Sequence, residues 1–180
     1  MDELIDRTIA ILAANAPRWG ILADSIDFEL LARRPEPGEW SALQCLGHAA
    51  DTEVAVFGRR VEAIRDGQPR LARYEPDVEG TPITSTTDPA ELVARHASGR
   101  ARNLAMLATL TTADLGKTSI HEELGEVSLA ELLNEWAAHD LMHIVQAERA
   151  LMQPFIEASG PWRGYFVEHD VRARGAAHRD

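Results

Sequence analysis

The stretch that decides the fold is Ser128-Leu129-Ala130-Glu131-Leu132-Leu133-Asn134-Glu135-Trp136-Ala137-Ala138-His139-Asp140-Leu141-Met142-His143. Ser128 with Glu131 three residues on is a capping box, in which each side chain satisfies a backbone amide at the other's position. From there apolar residues recur at helical spacing. At about 100° per residue, Leu129, Leu132, Trp136, Ala147 and Ala150 fall on one side, and His139 and His143 fall on that side with them. Two imidazoles in a core-facing stripe are costly unless their nitrogens find partners. The pattern predicts a helix over 128–153, which Pro154 ends or kinks.

The same start signals recur upstream. Ser41 with Gln44 predicts a helix over 41–65, stopped by Gly67 and Pro69. Asp88-Pro89-Ala90-Glu91 combines an N-cap acid with a proline at the first helical position, and predicts a helix over 89–110. Residues 2–34 are helical in period, with a bend or short break expected at Pro17 and Gly20. A last short turn over 28–33 precedes the breaker cluster Pro35-Glu36-Pro37-Gly38. Residues 66–87 read as a long loop, of a length that is often functional. Four long helices with no sustained strand alternation predict an all-α four-helix bundle. They form one domain over 1–167, followed by a frayed polar tail over 168–180.

Composition narrows the function. The chain has 180 residues, with 18 Lys+Arg against 29 Asp+Glu and a formal charge of −11. That balance argues against general nucleic-acid binding, which needs a basic surface. One cysteine excludes an intrachain disulfide framework. The longest apolar runs, such as residues 9–14, are too short to cross a membrane, and the first residues lack the pattern of a signal peptide. The expectation is a soluble, cytoplasmic protein that binds neither membrane nor nucleic acid.

Spacing alone is weak support for a metal at His139 and His143. In a chain with seven histidines, chance gives roughly 0.3 pairs at this separation. A metal ion would satisfy both rings at once; two hydrogen-bonded core histidines are the competing reading. His48 is the best third ligand, on a helix side that carries Cys45, Thr52, Ala55 and Val56. Leu46, Ala50, Phe57 and Val61 form a second apolar stripe on that helix, roughly opposite His48. Either a neighbouring helix or a second copy of the chain covers it. Cys45, one turn before His48, is a soft fourth ligand or a small buried hydrophobe. Asp51 is an acceptor that orients an imidazole, or a solvated acid. Asp140 gives His-Asp-Leu-Met-His, similar to the zinc-protease pattern with Asp in place of Glu, whose shorter side chain reaches metal-bound water less well. Arg59 shares the side of His48 about three turns on, as a pocket cation or a surface one. His96, His121, His169 and His178 read as ordinary surface histidines.

The chain resembles the DinB family of DNA-damage-inducible proteins, in the wider DinB/YfiT-like metalloenzyme superfamily. The resemblance rests on Pro35-Glu36-Pro37-Gly38-Glu39-Trp40-Ser41, then His48-Ala49-Ala50-Asp51. It continues with Leu124-Gly125-Glu126-Val127-Ser128-Leu129 leading to Trp136, His139 and His143, and ends at Gly160-Pro161-Trp162-Arg163. It implies a bundle of up-down-down-up connectivity and one divalent metal, nickel or zinc, held by three histidines that map onto His48, His139 and His143. It also implies a homodimer, and puts the 66–87 loop, with Arg73 and Tyr74, at the mouth of the site.

Relatives that use low-molecular-weight thiols such as bacillithiol or mycothiol imply a metal-dependent thiol transferase acting on a small electrophile, with Trp136 positioning the acceptor. Metal-dependent hydrolysis of a small substrate is the alternative, with Asp51, Glu53 or Asp140 as the acid or base. A stress-associated metal-binding module without turnover is the third reading. A transferase requires cationic groups around the metal to hold an anionic cosubstrate; a hydrolase requires a carboxylate there.

Overall fold

The structure, a computed structural model, describes residues 3–172. In chain order the elements are α1 (Glu3–Ser25), α2 (Phe28–Ala32), α3 (Ala42–Thr52), a π-helical turn (Glu53–Phe57), α4 (Gly58–Arg65), β1 (Arg70–Leu71), α5 (Pro76–Glu79) and α6 (Pro89–Leu107). A 3-10 turn (Thr112–Asp114), β2 (Thr118–His121), β3 (Gly125–Ser128), α7 (Leu129–Ala158) and a 3-10 segment (Gly160–Phe166) follow. Four long helical segments form a bundle: α1, the run from α3 to α4, α6 and α7. α1 and α3 each pack extensively on both α6 and α7, so α1 and α3 stand at opposite corners.

Local chemistry explains the helix starts. Ser41 accepts from the Gln44 amide while the Gln44 side chain accepts from Ser41, and Ser128 and Glu131 do the same at α7. Asp88 caps α6 through the Ala90 amide at 2.9 Å. Gly67 turns the chain out of α4 at φ +76°, in the left-handed region that suits glycine.

Neither internal proline stops its helix. α1 runs through Pro17 without a break and α7 runs through Pro154 to Ala158. At Pro17 the reason is visible. Pro17 and Ala13 are both exposed, so water can satisfy the carbonyl that loses its amide donor. Trp19, on the far side, is buried against the core.

The absence of strands expected from the sequence is corrected. A small sheet joins β1 parallel to β2, pairing Arg70 with Ile120, and β2 antiparallel to β3, pairing Thr118 with Ser128. Its strands have two or four residues each, too short for periodicity to register. The 66–87 segment is correspondingly more ordered than a loop, holding both β1 and α5.

The second apolar stripe of the α3–α4 segment is covered within the chain. Leu46, Ala50, Phe57 and Val61 are all buried, and α6 and α7 both pack on this segment. The stripe therefore needs no second copy to cover it. The start of the expected frayed tail is also packed: Gln153 bonds the carbonyl of His169 at 2.9 Å and the amide of Val171 at 3.1 Å, and Asp170 is buried and paired with Arg163.

A polar cluster pins the four corners together. The buried Arg100 guanidinium of α6 donates to both carboxylate oxygens of Glu53, at 2.8 and 2.9 Å, and to Asp140 of α7 at 2.5 Å. Its other arm reaches the Leu12 carbonyl of α1 at 2.5 Å. Asn15 donates to Asp140, and Asn103 to both the backbone and the carboxylate of Glu53. These groups come from distant parts of the chain and satisfy one another where an unpaired charge would be expensive.

Candidate metal centre

His48 comes from α3, and His139 and His143 from successive turns of α7. The structure brings all three together. His48 Nε2 lies 3.2 Å from His139 Nε2, and His143 Nε2 lies 3.2 Å from the same atom. One nitrogen from each ring fits within a 4.8 Å span, the one such cluster among the described residues. A tetrahedral ion with N–metal distances of about 2.0–2.1 Å holds its ligand nitrogens roughly 3.3–3.4 Å apart, so the triad has the right spacing.

Its protonation suits a cation too. Gln146 Oε1 accepts a hydrogen bond from His143 Nδ1 at 2.9 Å, which leaves Nε2 bare and pointing at the cluster. Burial, with a lesser contribution from neighbouring imidazoles, pushes His48 down to about 4 and His139 down to about 3. Burial lowers His143 as well, against its bond to Gln146. All three rings are neutral at pH 7, and neutral imidazole is the form that ligates.

Aromatic rings fix the imidazoles. Trp40 stacks on His143 with centroids 5.8 Å apart at 18°, and lies 5.0 Å from His48. Phe57 meets His139 edge-on at 5.0 Å and stacks on Trp136 at 5.0 Å and 5°. A cavity of about 260 Å³ opens beside His48 and His139, lined also by Phe57, Arg60, Tyr74 and Glu135. The Tyr74 ring is 6.2 Å from His48, so the 66–87 segment does reach the mouth of the site.

Other residues singled out from the sequence lie elsewhere. Cys45 is fully buried among Trp19, Leu43, Ile144 and Ala147, and burial pushes its thiol up to about 12; it is core, not ligand. Asp51 holds no imidazole. It accepts from the amide and hydroxyl of Thr81 at 2.7 and 2.8 Å and pairs with Arg95 at 2.7 Å, tying the 80–83 segment to α3 and α6. Asp140 faces away from the triad into the Arg100 cluster, because adjacent positions on a helix diverge by about 100°. Trp136 is buried behind Phe57 and supports His139 through it, with no access to the cavity.

Arg59 is displaced by one residue. The π-helical turn at Glu53–Phe57 adds a residue to the turn between His48 and α4, so Arg60 lines the triad cavity in its place. Two histidines also move inward: His96 is buried against Trp19 and Arg100, and His121 is buried and lines the triad cavity. His169 stays exposed, and His178 lies outside the described residues. Helical spacing from His139 would have found Glu135, one turn earlier on the same helix. No wheel could find Trp40, which sits in the loop before the Ser41 cap.

The sequence pattern of the DinB superfamily matches residues 11–147. The chain belongs to the DinB superfamily. Among DinB-like relatives, the candidate metal-dependent hydrolase OB0413 of Oceanobacillus iheyensis is 26% identical over 136 residues, covering 74% of this chain and 78% of its own length. The fold is also that of YfiT from Bacillus subtilis, described as a candidate metal-dependent hydrolase with an unusual four-helix bundle topology. That comparison has a TM-score of 0.75 at 19% identity, over 86% of this chain and 89% of YfiT. DinB membership, metal-dependent relatives and the three-histidine cluster together support binding of a divalent metal.

Proposed function

We propose that this chain is a metal-dependent enzyme acting on a small molecule, with His48, His139 and His143 holding one nickel or zinc ion. Its reaction is transfer of a low-molecular-weight thiol to a small electrophile. The observation that carries the reading is the convergence of three neutral imidazoles, their Nε2 atoms in 3.2 Å steps, with His48 and His139 on the wall of an open cavity. Three protein ligands leave room on an ion for an exogenous group. A divalent ion held there would supply Lewis acidity that favours a thiolate at neutral pH.

The chain's own groups around the cavity have separate roles. Partial desolvation holds the Glu135 carboxyl above its ordinary range, against the pull of Arg60, which suits it to take the thiol proton on a carboxylate oxygen. Arg60 supplies the cation an anionic cosubstrate needs, and Phe57 and Trp40 keep the imidazoles in place. As the sulfur–carbon bond forms, the bond from that carbon to its leaving group breaks, and the leaving group departs with the electron pair. Hydrolysis is the second reading, supported by the description of both relatives as candidate metal-dependent hydrolases and by the same Glu135 acting as base toward water.

The test uses untagged protein. Elemental analysis is expected to find one divalent ion per chain, lost in His48→Ala, His139→Ala and His143→Ala; metal that survives all three substitutions overturns the ligand set. Loaded protein incubated with a panel of thiols and monochlorobimane is expected to give metal-dependent conjugation that Glu135→Gln slows. Ester or amide cleavage without conjugation by any thiol moves the assignment to hydrolysis.

A further inference from the structure

Next to the triad cavity lies a second cleft of about 360 Å³, and its chemistry is unusual for this chain. It is lined by Arg59, Arg60, Arg70 and Arg73, together with Tyr74 and Glu79. The two spaces share Val56, Arg60 and Tyr74, and so adjoin along these residues. With acids exceeding bases by 11, a concave surface bearing four arginines and one carboxylate runs against the overall balance.

The four guanidinia are not equally committed. Arg73 is paired with Glu75 and with Glu123. Arg60 donates to the Ala72 carbonyl at 2.8 Å and is attracted by Glu135 and Glu123 on the triad side. Arg59 and Arg70 are exposed, and their side chains make neither a hydrogen bond nor an ion pair among the described residues. The guanidinia of Arg59 and Arg70 are thus left on one concave wall, where an anion would be held by both and by Arg60. Guanidinia present flat pairs of donors that match a carboxylate in two parallel hydrogen bonds. Glu79, also in the lining, disfavours two charges concentrated on one group, as in a dianionic phosphate, more than one charge on each carboxylate.

We propose that the cleft lined by Arg59, Arg60 and Arg70 is a carboxylate-binding subsite that holds the anionic tail of the small molecule processed at the histidine triad. The inference rests on the metal-site reading above and deepens it by naming the substrate class: small molecules that carry a carboxylate a few bonds from the reacting group. Tyr74 lines both halves of the site.

The test separates the subsite from the metal reading. Succinate is titrated calorimetrically into chelator-treated wild-type protein, into Arg59→Gln/Arg70→Gln and into His139→Ala. Saturable binding that weakens with added salt is expected in wild type and in His139→Ala. Loss of at least about tenfold in affinity is expected in the arginine variant, since a hydrogen bond to a charged group contributes enough for that factor. Binding of equal strength in the arginine variant, or none in wild type, overturns the proposal. Inorganic phosphate binding in an arginine-dependent way where succinate does not also overturns it.

A second arm loads the protein with Co(II) and follows the sulfur-to-cobalt charge-transfer absorption. Mercaptosuccinate is expected to saturate at about tenfold lower concentration than the neutral thioglycerol in wild type, with the two becoming equivalent in the arginine variant. Equal saturation in wild type overturns the subsite as the seat of the ligand's tail. If neither thiol gives the absorption while succinate still binds through the arginines, the subsite stands and the thiol reading fails.

Discussion

His48 and His139 present their Nε2 atoms to each other across 3.2 Å, from helices that meet only through the fold. At that distance either one neutral ring donates its Nε2–H to the other or both lone pairs face a shared cation; burial disfavours only the doubly protonated, charged rings, which would not ligate. A ligand that binds only the native state stabilises it by about 2.7 kcal/mol at a concentration 100 times its Kd. For a domain of this size that is a rise in Tm of roughly 5–10 °C. Calorimetric scans are expected to show it on adding nickel or zinc, with reversal by chelator and no effect in His139→Ala. A metal-induced rise that persists in His139→Ala contradicts the ligand set.

The acid side of the stability curve follows from the same burial. The folded chain holds His48 and His96 at about 4 and His139 at about 3, below the ordinary histidine value. At each site the unfolded chain takes up its proton first as pH falls. The stability these groups contribute is thus fully present above about pH 6.5 and is lost progressively toward pH 4 and below. Urea midpoints of the metal-free protein are expected to fall across that window, and less steeply in His96→Gln. Bound metal should leave over the same range, because protonated imidazole cannot ligate. A flat midpoint between pH 7 and 4.5 would contradict this account.

Arg100 carries a heavier structural role than any residue of the triad. Its guanidinium balances Glu53 and Asp140 where all three side chains are at most 4% exposed. Removing one partner of such a buried network leaves an uncompensated charge and costs about 3–5 kcal/mol. Arg100→Ala is therefore expected to lower stability by about that much in chemical denaturation. Glu53→Gln, which keeps much of the hydrogen bonding, should cost less. Equal small losses in both would mean that water reaches the cluster.

The parts of this architecture legible in the sequence are those governed by local chemistry. Ser41, Asp88 and Ser128 mark helix starts by reaching amides within three residues, and His139 and His143 meet because four residues bring a helix round to the same face. The misplaced residues depend on distant partners or on a change of helical pitch. Helix geometry already turns Asp140 away from His139, but that it is claimed by Arg100, forty residues earlier, is a matter of tertiary contact. His96 reads as polar surface until Trp19 and Arg100 enclose it. Arg59 yields to Arg60 because the wheel assumes one pitch from His48 onward, and the π-helical turn breaks that assumption.

Cys45 gives a simple test of core against ligand. It is fully buried with its thiol pushed up to about 12, and a protonated, enclosed thiol neither binds metal nor reacts readily. A thiol reagent such as DTNB is expected to label it only on unfolding. Cys45→Ala should retain full metal stoichiometry and cost about 1 kcal/mol of stability. Loss of metal in this variant would return Cys45 to the site.

The π-helical turn depends on Gly58. A Cβ at that position would lie 2.2 Å from Asn103 Oδ1, and Asn103 cannot easily retreat, because its amide donates to the Glu53 carbonyl at 2.8 Å and to the Glu53 carboxylate at 2.9 Å. The first of these bonds serves a backbone carbonyl at the start of the π-helical turn, so glycine at 58 lets α6 approach and support it. Gly58→Ala forces a choice between a displaced Asn103 and a shifted helix, at a cost of about 1–3 kcal/mol for overpacking. Stability alone would not identify the cause. The variant is therefore compared with Asn103→Ala, which removes the same support without adding bulk. If the turn sets the position of Arg60, both variants are expected to weaken succinate binding beyond what lost stability explains, while retaining metal at the triad. Unchanged succinate affinity in both would show that Arg60 keeps its place without this support.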